Sequence, residues 1–166
     1  MPDPLVSIVM TNHNYSKYIK EAIRSIADQT YQRIEVILID DGSTDESLIF
    51  MEEARREHLH RFERLYVQLL PVNRGINAAL NQAISHVKGT VTVIFDADDK
   101  LDKNHLSKLI KSLIGQHQLD PYVTFSYCDC WLIDEASSTI QQGLSKPFDA
   151  ELIEKESFLP RPSPIF

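Results

Sequence analysis

Short, nearly continuous apolar runs alternate with amphipathic stripes along most of this chain, and no other feature restricts its fold as strongly. Residues 5–10 (Leu-Val-Ser-Ile-Val-Met), 34–39 (Ile-Glu-Val-Ile-Leu-Ile), 65–70 (Leu-Tyr-Val-Gln-Leu-Leu) and 91–95 (Val-Thr-Val-Ile-Phe) read as strands. Between them, Ile19, Ala22, Ile23, Ile26 and Ala27 recur at helical spacing, as do Ile76, Ala79, Leu80, Ala83, Ile84 and Val87. Asp45 or Thr44 is placed to cap a helix reaching about residue 57, and Gly89 to end the helix before the fourth strand. Asp102 is placed to cap a fourth helix that carries Leu106, Leu109, Ile110, Leu113 and Ile114. Strands that are apolar on both faces and separated by helices predict an α/β fold: an open, mostly parallel sheet with helices on both faces. After residue 116 the pattern weakens; residues 123–127 read as a strand continuing toward residue 133, with a turn at 134–138 and a short helix at 149–158.

Composition removes several classes of function. The chain has 166 residues, 43% of them hydrophobic and 25% charged, the balance of a globular protein and the length of one domain over residues 1–166. A formal charge of −7 without a basic run argues against a nucleic-acid partner. No apolar stretch approaches the roughly 20 residues of a transmembrane span, and no signal peptide is legible. Cys128 and Cys130 are the only cysteines, too few for a disulfide scaffold or a zinc site, and they read as two small buried residues of a protein in a reducing, cytoplasmic compartment.

Right-handed crossovers bring the C-terminal ends of parallel strands to one edge, the edge at which open α/β sheets bind ligands. Three polar clusters follow strands here: residues 11–14 (Thr-Asn-His-Asn), 40–45 (Asp-Asp-Gly-Ser-Thr-Asp) and 96–99 (Asp-Ala-Asp-Asp). Asp96, Asp98 and Asp99 repel one another, and a divalent cation relieves that conflict. Hard carboxylate oxygens suit Mg²⁺ or Mn²⁺, which keep waters and bridge to substrate phosphates. Helix capping is the simpler use of an acidic loop, but Asp102 stands better for it. In the second cluster a turn at Gly42 with a cap at residues 43–45 accounts for everything except the paired Asp40 and Asp41. Residues 11–14 taken alone suit a turn, and His13 has no second histidine at ligand spacing. Asn73 and Gly75 form a turn, beside which Arg74 is either solvated charge or a phosphate or base contact.

In this order, these residues resemble the inverting, nucleotide-sugar-dependent glycosyltransferases with a GT-A fold, glycosyltransferase family 2. The likeness is carried by residues 6–14, 25–30, 35–45, by Asn73, Arg74 and Gly75 with Ala79 and Asn81, and by Gly89 leading to residues 95–99. The resemblance implies that Thr11 and His13 line the nucleotide pocket near the base, although His13 departs from the aromatic residue common there. It further implies that Asp41 accepts from the base, that Arg74 lies near base or phosphates, and that Asp96 lies near ribose or metal. Asp98 and Asp99 would hold Mn²⁺ or Mg²⁺ against the diphosphate. The resemblance favours a UDP-sugar donor, with dTDP and GDP sugars open, and admits a saccharide or lipid-linked acceptor without identifying it. A peripheral position at the inner face of a membrane is compatible with a cytoplasmic location. No residue matches the family's catalytic base, so the chain is expected to be an incomplete, donor-binding part without its acceptor-binding region, unable to transfer sugar at a useful rate. Asp129, Asp134 and Glu135 are carboxylates without a base motif.

Other readings fit less well. A non-catalytic nucleotide-sugar-binding module shares every donor residue. A haloacid-dehalogenase-type phosphatase expects Thr or Val where Lys100 stands, and a response-regulator receiver expects its acidic pair after the first strand. A dinucleotide-binding dehydrogenase expects glycines that the first turn lacks.

Overall fold

A computed structural model describes residues 3–121 and 123–143. The elements run β1 (Val6–Asn12), α1 (Ser16–Ala27), β2 (Ile34–Asp40), α2 (Ser47–His58), β3 (Arg64–Leu69), α3 (Ile76–Ile84), β4 (Val91–Asp96), α4 (His105–Leu119), β5 (Cys130–Ile133) and β6 (Thr139–Gly143). The first four strands form a parallel sheet in the order β3-β2-β1-β4, while β5 and β6 pair antiparallel in a separate hairpin. In register, Thr11 stands opposite Ile39 and Asp96, and Asn12 opposite Asp40. The ends of β1, β2 and β4 are therefore level, and all three polar clusters meet at one edge.

Both faces of the sheet are covered, as the apolar runs require. Ile8 and Met10 of β1 and Val36 and Leu38 of β2 pack against Ile19, Ile23 and Ile26 of α1, Met51 of α2 and Leu106 of α4. On the other face Val9, Ile37 and Ile39 pack against Ala79 and Ala83 of α3. Residues of β1 and β2 are buried on both sides because these strands are central; β3, with one neighbour, is only half-buried.

One polar line crosses this apolar sheet near the opposite edge. Ser7, Glu35 and Arg64 lie in register on β1, β2 and β3. Glu35 is 1% exposed, and its Oε1 accepts from the Ser7 hydroxyl at 2.5 Å, the Lys88 amide at 2.6 Å and the Gly89 amide at 3.1 Å. Its Oε2 faces Arg64 at 3.3 Å, and Arg64 also donates to the His86 carbonyl at 2.8 Å. Burial alone would raise the Glu35 carboxyl; these donors outweigh it and hold the group below its ordinary value.

Several local expectations change. Gly89 does not end α3, which stops at Ile84; a Cβ at Gly89 would lie 2.5 Å from the Leu5 carbonyl and the Ser7 hydroxyl, so only glycine lets this turn reach the sheet. Asp102 bonds the Asn104 amide at 3.0 Å, one turn ahead of α4, so it shapes the approach to the helix rather than capping it. Residues 123–127 form no regular strand; Ser126 makes a single bridge and donates to the Leu109 carbonyl of α4 at 3.3 Å, and Val123 packs on the core. The strand begins at Cys130 instead, and the turn at 134–138 is present, with Asp134 Oδ1 accepting the Ala136 and Ser138 amides at 2.9 Å. Cys128 and Cys130 are half-buried, not core. The helix expected at 149–158 lies outside the described residues.

Candidate functional site

The loop after β1 and the loop after β2 are fastened to each other by side chains. Asp40 accepts the Ser43 amide at 2.8 Å and hydroxyl at 2.6 Å, and the Asn12 amide group at 2.8 Å. Asn14, in a left-handed conformation with φ 59°, accepts the Thr44 amide at 2.8 Å on its carbonyl oxygen and donates its own amide to Ser43 at 2.9 Å. Asp45 receives the Ser16 amide of α1 at 3.0 Å and the Ser47 amide of α2 at 2.9 Å, so one carboxylate serves the start of two helices. Asp40, one of the pair that a simple turn and cap do not require, is thus a structural residue.

Burial alone would push Asp45 upward; hydrogen bonds from Ser47 and Ser16 outweigh it and lower its pKa from 3.8 to about 2. A group lowered on folding stabilises the fold above its unfolded pKa and loses that contribution as pH falls through the folded value. The stability advantage of the parent protein over Asp45→Asn is therefore expected to be full above pH 4 and to shrink toward pH 2, as read by urea midpoints across that range.

Asp41 reaches across to the third loop. It is 3% exposed, and its two oxygens accept the backbone amides of Arg74 and Gly75, each at 2.8 Å. Gly42 makes this approach possible. Its φ is +69°, and a Cβ there would meet the Asn73 amide nitrogen at 2.6 Å and the Val72 carbonyl carbon at 2.7 Å. Gly75, with φ +88°, then turns the chain into α3.

These loops enclose a cleft of 420 Å³ at the sheet edge. Thr11, His13, Asp41, Asp96 and Asp98 all line it, so five of the seven residues singled out from sequence come together. Arg74 is exposed and contributes its backbone amide to Asp41, while its neighbours Asn73 and Gly75 line the cleft. Asp99 stands on the wall of an adjoining cleft that shares Asp98. Sequence reasoning overlooked Tyr15, Ile76, Ala79 and Ala97 in the lining, although Ile76 and Ala79 belong to the legible stripe of α3. Its lining combines the carboxylates Asp41, Asp96 and Asp98 with the apolar side chains of Ile76 and Ala79. Such a lining, apolar and acidic together, suits a ligand with both a ring and a cation-bridged anion.

No three His, Cys, Asp or Glu residues form a metal cage among the described residues. Asp96 and Asp98 nevertheless offer hard carboxylate oxygens to one cleft, the donor chemistry of an ion that completes its shell with water and phosphate.

The chain belongs to glycosyl transferase family 2, whose model matches residues 7–150. It is similar to an uncharacterized glycosyltransferase of Haemophilus influenzae, at 32% identity over 76% of this chain and 49% of that one. Among solved structures it is similar to the mannosyltransferase PcManGT from Pyrobaculum calidifontis in complex with GDP-Man and Mn²⁺, with TM-score 0.67 and 28% identity over 75% of this chain and 35% of that one. It also resembles S. aureus TarS in complex with UDP, with TM-score 0.60 and 30% identity over 68% of this chain and 32% of that one. The chain spans about half the length of the first of these relatives, and less of the two solved chains. The parallel sheet flanked by helices is thus the GT-A arrangement that the motifs implied. No described helix is long and apolar enough to cross a membrane.

Proposed function

We propose that this chain is the donor-binding core of a glycosyltransferase that moves a sugar from a nucleotide-sugar, with a UDP-sugar favoured, to an acceptor hydroxyl with inversion at the sugar carbon. The observation that carries the reading is the convergence of Thr11, His13, Asp41, Asp96 and Asp98 on one cleft in a member of this family. In this reading Thr11 and His13 lie against the base. Asp41 builds the base end of the cleft by fixing the loop at residues 73–75, and Arg74 follows that loop toward the nucleotide. Asp96 and Asp98 face the ribose and diphosphate end, with Asp99 beside them. Asp96 and Asp98 would hold Mn²⁺ or Mg²⁺ at that end, where the ion would supply positive charge to a departing diphosphate. The chain's own contribution is to hold the donor so that its sugar carbon faces the side on which Asp98 and Asp99 meet. In this reading the protein acts in the cytoplasm.

A thermal-shift panel of UDP, GDP, dTDP and ADP with and without Mn²⁺ tests this reading. A ligand at 100 times its Kd stabilises by about 2.7 kcal/mol, which raises Tm by roughly 5–10 °C in a domain of this size. UDP with Mn²⁺ is expected to give the largest rise. No rise with any nucleotide would overturn the proposal.

A further inference from the structure

Three clefts adjoin along the site edge and the flank of α1. The cleft described above shares Asp98 with a second, of 200 Å³, which is lined by Tyr18, Asp99, Asp134 and Ser137 among others. That second cleft shares Glu21 and Lys100 with a third, of 590 Å³. The turn of the β5–β6 hairpin bounds the middle cleft and is tied to α1 by the Lys17–Glu135 ion pair at 2.5 Å and by the Ser137 hydroxyl donating to Glu21 at 2.9 Å.

The third cleft differs in charge from the rest of the molecule. Lys20, Arg24, Lys100 and Lys103 line it against only Glu21 and Asp28, in a chain whose net charge is −7. Three of these cations are in ion pairs: Lys20 with Glu53 at 2.5 Å, Lys100 with Glu21 at 2.5 Å, and Arg24 with Asp28 at 3.7 Å. All three pairs are solvent-exposed and hence readily exchanged for another anion. Lys103 has no ion pair among the described residues.

We propose that this basic cleft seats an anionic group, a phosphate or a carboxylate, of a saccharide acceptor whose reacting end occupies the middle cleft beside Asp98. The proposal rests on the reading of the acidic cleft as the donor site. The middle cleft supplies the hydroxyls of Tyr18 and Ser137 and several carboxylates, groups that bond sugar hydroxyls, and the basic cleft lies one step further from the donor. The cations there also offset the long-range repulsion between an acidic protein and an acidic saccharide.

The test titrates the ¹⁵N-labelled 166-residue chain, in EDTA, with glucose 6-phosphate, with glucuronate, and with glucose as the neutral control. The expected result is that at least one anion, and not glucose, shifts the amides of Arg24, Lys100 and Lys103; whichever anion binds identifies its class. The double variant Arg24→Glu, Lys103→Glu is expected to weaken that binding at least tenfold while UDP affinity in Mn²⁺ stays within twofold, which also shows the variant folded. Unmoved amides, or equal binding by the charge-reversed variant, would overturn the proposal. Anion binding by a parent protein that fails to bind UDP would overturn the donor reading and the acceptor assignment together, a result distinct from loss of the anion site alone.

Discussion

Glu35→Ala is expected to cost about 3–5 kcal/mol of folding stability, the range for breaking a buried ion pair on one side. Domains of this kind hold about 5–15 kcal/mol in total, so the loss is a large share of the whole. The alanine would leave Arg64 without its carboxylate and strand the Ser7 hydroxyl and the Lys88 and Gly89 amides that converge on it. Glu35→Gln keeps an acceptor for these groups and removes only the charge, so a smaller loss is expected. Because folding holds the Glu35 carboxyl below its ordinary value, its contribution is full above that value and fades as pH falls below it. Urea unfolding at neutral pH measures the difference. A loss below 1 kcal/mol for the alanine variant would mean that the buried charge is better solvated than its neighbours indicate.

The second large effect concerns Asp41. Asp41→Ala removes two charge-assisted hydrogen bonds to the Arg74 and Gly75 amides, each worth about 1.5–3 kcal/mol. With that loop released, UDP affinity is expected to fall about 10–100-fold, while Mn²⁺ binding in the absence of nucleotide stays unchanged. Asp98→Ala is expected to weaken both. Asp41→Asn should fall between parent and alanine, because one of its oxygens becomes a donor facing an amide N–H. Equal, small effects of Asp41→Ala and Asp98→Ala on UDP binding would remove Asp41 from the site and leave it as a loop brace.

Strands and helical stripes were legible because the inner strands are buried on two faces and the helices on one, so hydrophobic spacing records both. The level ends of β1, β2 and β4 followed from parallel topology, and with them the meeting of Thr11, Asp41 and Asp96. What sequence did not reveal is which polar side chains serve each other. Asp40 and Asp41 are adjacent and alike, yet one closes its own turn and the other reaches a loop more than thirty residues away. Gly89 looked like a helix terminator, but a close approach to β1 requires it. Glu35 carried a usable signal: a charge inside an apolar run, with Ser7 inside another, marks a buried partner set. The segment at 123–127 misled because half-buried extended chain and strand share the same alternation. Its Ser126 hydroxyl donates to α4 and its Val123 packs on the core, without a regular strand partner among the described residues.

Titration calorimetry of the parent chain with UDP, first in Mn²⁺ and then in excess EDTA, shows whether a metal holds the nucleotide in this cleft. One-site binding is expected in Mn²⁺, with affinity falling at least tenfold in EDTA, where Asp96 and Asp98 would repel the diphosphate. Binding of equal strength in both conditions, or no binding of any nucleoside diphosphate in either, would contradict this expectation.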